Sequence, residues 1–278
     1  MAVDLSFDLV VATVDRVDPL SRLFASLERQ SPVHLRVLLV DQNDDDRVAV
    51  ALSAHPALDV VRLRSARGLS RARNEALSHV DADVVAFPDD DCEYPDDLLG
   101  RVATALAAGP DLDGLSGRTA DETGASAGRW SATPGVIDGA TVWHRVNSAA
   151  LFLRRDLVAR TGPFDERLGL GASGPWRSGE EVDYLVRALR LGARVRYDPS
   201  LVVRHAQPAA RSELGFRDGA SVGYLLRKHR YGPRTVARML VRPVGGALLA
   251  AARRDGDGAR FHAATLRGRV EGYLRAPS

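Results

Sequence analysis

The chain has 278 residues, with 38 Lys plus Arg against 36 Asp plus Glu, a formal net charge of +2. That balance excludes a nucleic-acid binder working through bulk positive charge, and a single Cys excludes a disulfide framework or a Cys-rich zinc site. With 45% hydrophobic and 27% charged residues the chain is of globular composition, and wholesale disorder is excluded.

Phe7 to Val14 is a short apolar, β-branched run that reads as a buried strand. Asp18-Pro19 then gives an N-cap followed by Pro at the first helical position, and Leu20, Leu23, Phe24 and Leu27 carry helical spacing up to Ser31-Pro32. His34 to Asp41 is a second strand ending in an acid. Asp44 to His55 reads as a short helix, Leu58 to Leu63 as a third strand, and Gly68 to Val80 as a loop entering a helix. Asp83 to Pro88 is a fourth strand, closed by Asp89-Asp90-Asp91, and a helix starts at Tyr94-Pro95-Asp96. This alternation predicts an α/β fold with a mostly parallel sheet and helices on both faces, binding its ligand at the carboxyl ends of the strands.

The second half changes character. Residues 109–145 are rich in Gly, Ser, Thr and Ala and show weak periodicity. Val146 to Leu153 reads as a strand and Arg154 to Thr161 as a short helix. A Gly-rich loop from Gly169 to Gly179 precedes a helix over Glu180 to Leu191. Asp183 and Arg187, at i and i+4, read as a surface pair on it. Ala193 to Tyr197 and Leu201 to Arg204 read as two short strands, with His205 after the second. The tail from Arg211 is helical and Arg-rich, with breaks at Gly232-Pro233, Pro243 and Asp255 to Gly258.

Three packed carboxylates repel one another, and burying them costs several kcal/mol each unless a cation is present. Asp89, Asp90 and Asp91 at a strand end therefore point to a hard divalent cation with oxygen ligands. His205 is a candidate partner, since imidazole suits borderline metals such as Mn²⁺. Glu180 and Glu181 open a helix, where the macrodipole favours acids. Trp176, in the loop, is either a stacking platform for a sugar ring or an anchor for the loop.

The order and spacing of VVATVDR (10–16), VLLVDQNDDD (37–46), GLSRARN (68–74), AFPDDDC (86–92), TGPFDE (161–166) and GEEVDYLVRALRLGARVRYDPSLVVRH (179–205) resemble the inverting, GT-A fold glycosyltransferases of sequence family 2. The resemblance implies an α/β fold of GT-A type over residues 1–210. A nucleotide-sugar half would cover about 1–108 and an acceptor half about 109–210, with a helical extension over 211–278. It implies that Thr13 and Asp41 contact the base and ribose, and that Arg73 and Asn74 shape the nucleotide pocket. Asp89 and Asp90 would lie beside the donor, and Asp91 and His205 would hold Mn²⁺ or Mg²⁺. Glu181 falls at the position of the general base. Relatives commonly carry Glu-Asp where this chain has Glu180-Glu181, so either Glu could serve. The expected reaction moves a sugar from a nucleoside-diphosphate donor to a hydroxyl of a saccharide or lipid-linked acceptor, in surface polysaccharide or glycoconjugate synthesis. A nucleotide-sugar-binding protein without catalysis and a Mg²⁺-dependent phosphohydrolase are the competing readings.

The +2 hides a split: residues 200–278 carry 15 basic and 5 acidic residues, and the remainder is net −8. The basic tail over 233–278 would rest on an anionic membrane surface, or pack on the catalytic domain, or pair two copies of the chain. No apolar stretch reads as long enough to span a bilayer. Met1 to Asp8 lacks a signal peptide's basic start, so the expected location is cytoplasmic, peripheral on the inner membrane face if the tail binds there.

Overall fold

The computed structural model describes residues 5–30, 33–126, 130–206 and 212–276. The expected helix stop at Ser31-Pro32 and the start of the tail at Arg211 lie outside them. The chain divides into two compact units. The first comprises, among described residues, 5–67, 71–164 and 184–206, and the second 68–70, 165–183 and 212–276.

The first unit is built on one sheet. Strands β1 (Ser6–Thr13), β2 (His34–Asp41), β3 (Val60–Arg64) and β4 (Val84–Ala86) form its parallel half, in the order β3-β2-β1-β4. Phe7, Leu9 and Val11 point to the same core as Val37, Leu39, Val84 and Ala86. Their neighbours Val10, Leu38, Val40 and Val85 are equally buried. A sheet covered on both faces gives continuous apolar runs, which is why this half is readable from sequence. Helix α1 (Asp18–Glu28) supplies Leu20, Leu23, Phe24 and Leu27 to that core. Its N-cap is Val17, one residue earlier than Asp18-Pro19 suggests. Helices α2 (Ala49–Ala54) and α3 (Leu69–Leu77) occupy the next crossovers.

Beyond β4 the sheet is mixed. β5 (Cys92–Glu93), β6 (Gly114–Ala120), β7 (Gly135–Val136), β8 (Leu151–Arg154) and β9 (Val195–His205) extend it in the order β4-β8-β6-β9-β5, with β7 also on β9. Helix α4 (Leu98–Ala108) packs Leu98, Leu99, Val102 and Leu106 into the core, and α5 (Arg155–Thr161) follows β8. The expected strand over 146–153 is shorter, because Asn147 caps a single 3-10 turn over Ser148–Ala150. The two strands expected over 193–204 are one strand. It bridges Pro199 by a shift of register against β6 between Ser116 and Arg118, and Arg118 donates to the Pro199 carbonyl at 3.0 Å. Gly117 lies at that irregularity, where a Cβ would come within 2.2 Å of the Leu201 carbonyl oxygen.

Helix α6 (Glu180–Arg190) follows the Gly-rich loop, and α7 (Ser212–Lys228), α8 (Pro233–Ala252) and α9 (Gly256–Arg275) complete the chain. Gly215, Gly219 and Gly223 of α7 meet α9 at such close range that a Cβ on Gly223 would fall 2.1 Å from the Arg269 carbonyl oxygen. The expected break at Pro243 does not occur, and α8 is continuous through it. Proline removes the amide that would bond to the carbonyl four residues back. That carbonyl, of Met239, instead accepts from the Arg269 guanidinium. The break at Asp255 does occur, with the Asp255 carboxylate accepting from the Gly258 amide at 2.8 Å. The expectation that no segment reaches membrane length is corrected: α8 is long and apolar enough to cross a bilayer, by length and composition, and little of it is buried.

Candidate active site

β4 ends at Ala86, and Phe87-Pro88 carry the chain to the acidic triplet. A turn follows, with the Cys92 amide donating to the Asp89 carbonyl at 3.2 Å. β5 then pairs antiparallel with the end of β9, opposing Cys92 to His205 and Glu93 to Arg204. This two-residue ladder is what brings His205 to the triplet, across more than a hundred residues of sequence. His205 Nε2 lies 3.2 Å from Asp91 Oδ1 and 3.9 Å from Asp89 Oδ2.

Two arginines complete the cluster. Arg16 reaches in from the loop after β1, its Nη1 2.8 Å from Asp90 Oδ1 and 2.5 Å from Asp91 Oδ2. Arg73, almost fully buried, lies 3.4 Å from Asp89 Oδ1 and stacks its guanidinium over the rings of Phe87 and Phe164. Thr13 donates to Asp90 Oδ2 at 2.8 Å. Burial pushes Asp89 and Asp90 above the usual carboxylate range, against the opposing pull of Arg73 on the first and Thr13 on the second. Burial also acts on Asp91, but His205 and Arg16 outweigh it and hold that carboxyl low. The hydrogen bond to Asp91 in turn raises the His205 imidazole.

Carboxylate oxygens and one imidazole nitrogen are a donor set whose chemistry fits Mn²⁺ or Mg²⁺. Among the described residues, no three His, Cys, Asp or Glu side chains are gathered as a ligand cage. Asp91 is engaged with Arg16 and His205 in a hydrogen-bonded network. Cys92 is fully buried in the core, a packing residue.

Asp41 stands opposite Thr13 in the β1–β2 register. Its side chain is completely buried: one oxygen accepts from the amide and side chain of Asn43, the other from Arg62, with Arg64 at 3.1 Å. Burial would raise this carboxyl, but the Asn43 and Arg62 hydrogen bonds hold it below its ordinary value. Asn74 exchanges two hydrogen bonds with the backbone of Phe164, at 3.1 and 2.7 Å, so its amide fixes the segment that carries the Phe164 ring. Arg16, Arg62 and Arg64 are contributors that the motif reading passes over; only the Arg of VDR, inside a quoted motif, carries a local signal.

Glu180 and Glu181 belong to the second unit. Glu180 is buried, its carboxylate packed against Gly169, which adopts φ +93°; Glu181 is half-buried. Asp183 corrects the expected surface pair, because its side chain is completely buried and held by Lys228 and His229. Trp176 meets Tyr224 edge-on at 4.9 Å, a contact between the Gly-rich loop and α7.

Residues 8–157 match the profile of the family described as Glycosyl transferase family 2. The pre-mycofactocin glycosyltransferase of Mycobacterium tuberculosis is 30% identical over 216 residues, covering 71% of this chain and 42% of that protein. The chain therefore spans less than half the length of that relative. Succinoglycan biosynthesis protein ExoM of Rhizobium meliloti is 28% identical over 249 residues, 83% of this chain and 78% of that one. Among solved structures, the mannosyltransferase PcManGT from Pyrobaculum calidifontis, in complex with GDP-Man and Mn²⁺, superimposes with a TM-score of 0.71 at 18% identity. The match covers 98% of this chain and 88% of that one. The sheet with its flanking helices is thus a GT-A type fold, and the chain belongs to glycosyl transferase family 2.

Proposed function

We propose that the chain is an inverting, metal-dependent glycosyltransferase that moves a hexosyl or deoxyhexosyl group from a nucleoside-diphosphate sugar to an acceptor hydroxyl during glycoconjugate synthesis. The observation that carries this reading is the convergence of Asp89, Asp91 and His205 at the carboxyl end of the sheet, within a chain of this family. Thr13 and Asp41, at the ends of β1 and β2, mark the base and ribose end of the donor site. Asp41 acts through Asn43, Arg62 and Arg64, which it orients. Arg73 and Asn74 set the Phe164 wall of the pocket.

Asp91 and His205 would hold a divalent cation, which when bound supplies positive charge to the departing diphosphate. Arg16 adds a guanidinium at the same end, and an arginine fork matches phosphate oxygens. Glu181 takes the proton of the acceptor hydroxyl as that oxygen attacks the anomeric carbon from the face opposite the diphosphate. Of the two adjacent acids, Glu181 is the one with solvent access, whereas Glu180 is enclosed under the Gly169 backbone.

The acceptor is a saccharide or lipid-linked sugar, and the protein works at the cytoplasmic membrane face. What supports this is the 36-residue run between Asp218 and Asp255, which holds eight Lys or Arg and no acid. On α8, Arg234, Arg238 and Arg242 are exposed beside Val241, Val244 and Leu248. An exposed apolar stripe edged with Arg suits an anionic lipid surface.

The experiment is a transfer assay with a panel of nucleotide sugars, each with Mn²⁺ or Mg²⁺, on the parent and on Glu181→Gln. A positioned base contributes about 10²–10⁴-fold. Glu181→Gln should lose about that much transfer and keep donor affinity. Transfer at the parental rate would remove the base assignment, and donor binding without turnover in the parent would favour a non-catalytic binder.

A further inference from the structure

The one lysine of the chain, Lys228, is the last residue of α7. It does not lie among the solvated cations of the tail. Its ammonium is 2.5 Å from Asp183 Oδ1 and 2.7 Å from Asp165 Oδ2. The next residue, His229, donates from Nε2 to Asp183 Oδ1 at 2.8 Å, and both side chains of that second pair are essentially inaccessible. Asp165 also accepts from Arg167 at 2.9 and 2.8 Å. Burial favours protonation of Asp165, yet Arg167 and Lys228 hold its carboxyl well below the usual range.

The rest of α7 makes the same connection. Ser221, Leu225, Lys228 and His229 are spaced i, i+4, i+7 and i+8, one helical face. Ser221 Oγ accepts from the Ser178 amide at 3.2 Å, and Leu225 touches Gly179 so closely that a Cβ there would sit 2.9 Å from it. Tyr224 meets the Trp176 ring. The helix then stops in a fixed geometry. The Tyr231 amide bonds to the Leu226 carbonyl and the Arg230 amide to that of Arg227, with Arg230 in the left-handed region at φ +50°. That conformation is usually left to Gly, and here it closes the helix directly after Lys228 and His229. One face of α7 thus grips the segment 165–183, in which Glu180 and Glu181 lie in the same helical turn as Asp183.

We propose that Lys228 and His229 are positioning residues, which act through Asp183 to fix the first turn of α6 and with it the Glu180-Glu181 pair. The assignment rests on the reading of Glu181 as general base. It gives the C-terminal extension a part in the chemistry, separate from any membrane contact. A general base must stand within hydrogen-bond reach of the hydroxyl it deprotonates, so loosening its turn lowers kcat while leaving ground-state donor binding in place.

The test compares Lys228→Met, His229→Phe, Asp183→Asn and the double variant Asp183→Asn/Lys228→Met in the full chain. The readouts are kcat and KM for donor and acceptor, donor affinity by calorimetry, and amide hydrogen exchange. Lys228→Met should lower kcat about 10–100-fold with the donor KM within about threefold, and should speed exchange at 180–184. Lys228→Arg, which keeps the charge, should recover most of the loss. The double variant should lose no more than the worse single one, since both act through one contact. If Lys228→Met does not fold, His229→Phe reads the same turn. Unchanged exchange at 180–184, or parental kcat in Lys228→Met while Glu181→Gln is inactive, overturns the assignment. Full transfer by Glu181→Gln overturns instead the base reading beneath it.

Discussion

The guanidinium of Arg16 stands 2.5 Å from the Asp91 carboxylate, on the oxygen that does not face His205. A divalent cation held by Asp91 would have to share that carboxylate with Arg16. Charge-assisted hydrogen bonds of this kind are roughly twice as strong as neutral ones. Arg16→Gln should therefore lower the Mn²⁺ concentration for half-saturation about 3–10-fold, while raising the donor KM, because a phosphate-binding fork is lost. Titration of Mn²⁺ followed by its electron paramagnetic resonance signal checks the first part. Weaker Mn²⁺ binding in Arg16→Gln would show that the guanidinium assists the cation site rather than competing with it.

Asp8 gives a stability prediction in the sheet. Its buried carboxylate accepts from Arg36 at 2.8 and 2.9 Å and from the Asp81 and Ala82 amides at 2.7 and 2.9 Å. Burial alone would raise it, yet these four bonds hold the carboxyl below its ordinary 3.8. A group depressed on folding stabilises above its unfolded pKa, and the contribution fades as pH falls through the folded one. Asp8→Asn should cost about 2–3 kcal/mol at pH 7. The difference from the parent should shrink below pH 4 (about the unfolded value) in denaturant melts run across pH.

The exposed stripe of α8 predicts a salt-sensitive association with lipid. The parent should co-sediment with vesicles containing phosphatidylglycerol and release as salt rises, since surface charge is screened within about 8 Å at physiological ionic strength. Arg234, Arg238 and Arg242 changed together to Gln should abolish binding and leave transfer to a soluble acceptor intact. Association of the parent with itself in sedimentation, in place of vesicle binding, would assign the stripe to a second copy of the chain.

The centre of the parallel half was readable because Leu9 to Ala12 of β1, Val37 to Val40 of β2 and Val84 to Ala86 of β4 are continuous apolar runs, with Thr13 and Asp41 closing the first two and the acid triplet soon after the third. β6 was not, since GLSGRTA has little strand propensity and two glycines. Gly114 is there because a Cβ would fall 2.5 Å from the Phe152 carbonyl oxygen, a constraint that only the paired strand reveals. Pro243 reads locally as a helix stop, and its rescuer, Arg269, comes from another helix. Asp183 shows the same limit at the site. Helical spacing offers it Arg187, whereas its buried partners follow 45 and 46 residues later. Asp89, Asp91 and His205 converge as the motif order suggests, but Arg16, bound between two of the acids, has no periodicity to betray it.

The order of these residues along the chain has a consequence for biosynthesis. A ribosome makes the acid triplet well before α7 and His205 just before it, whereas the turn of Glu180 to Asp183 lacks its anchors until Lys228 and His229 emerge. Asp183 would wait in the nascent chain as an ordinary hydrated carboxylate. On the reading of Glu181 as general base, a nascent or truncated chain ending before α7 should bind donor nucleotide and transfer poorly to the acceptor, the base turn being fixed only once Lys228 and His229 have been translated.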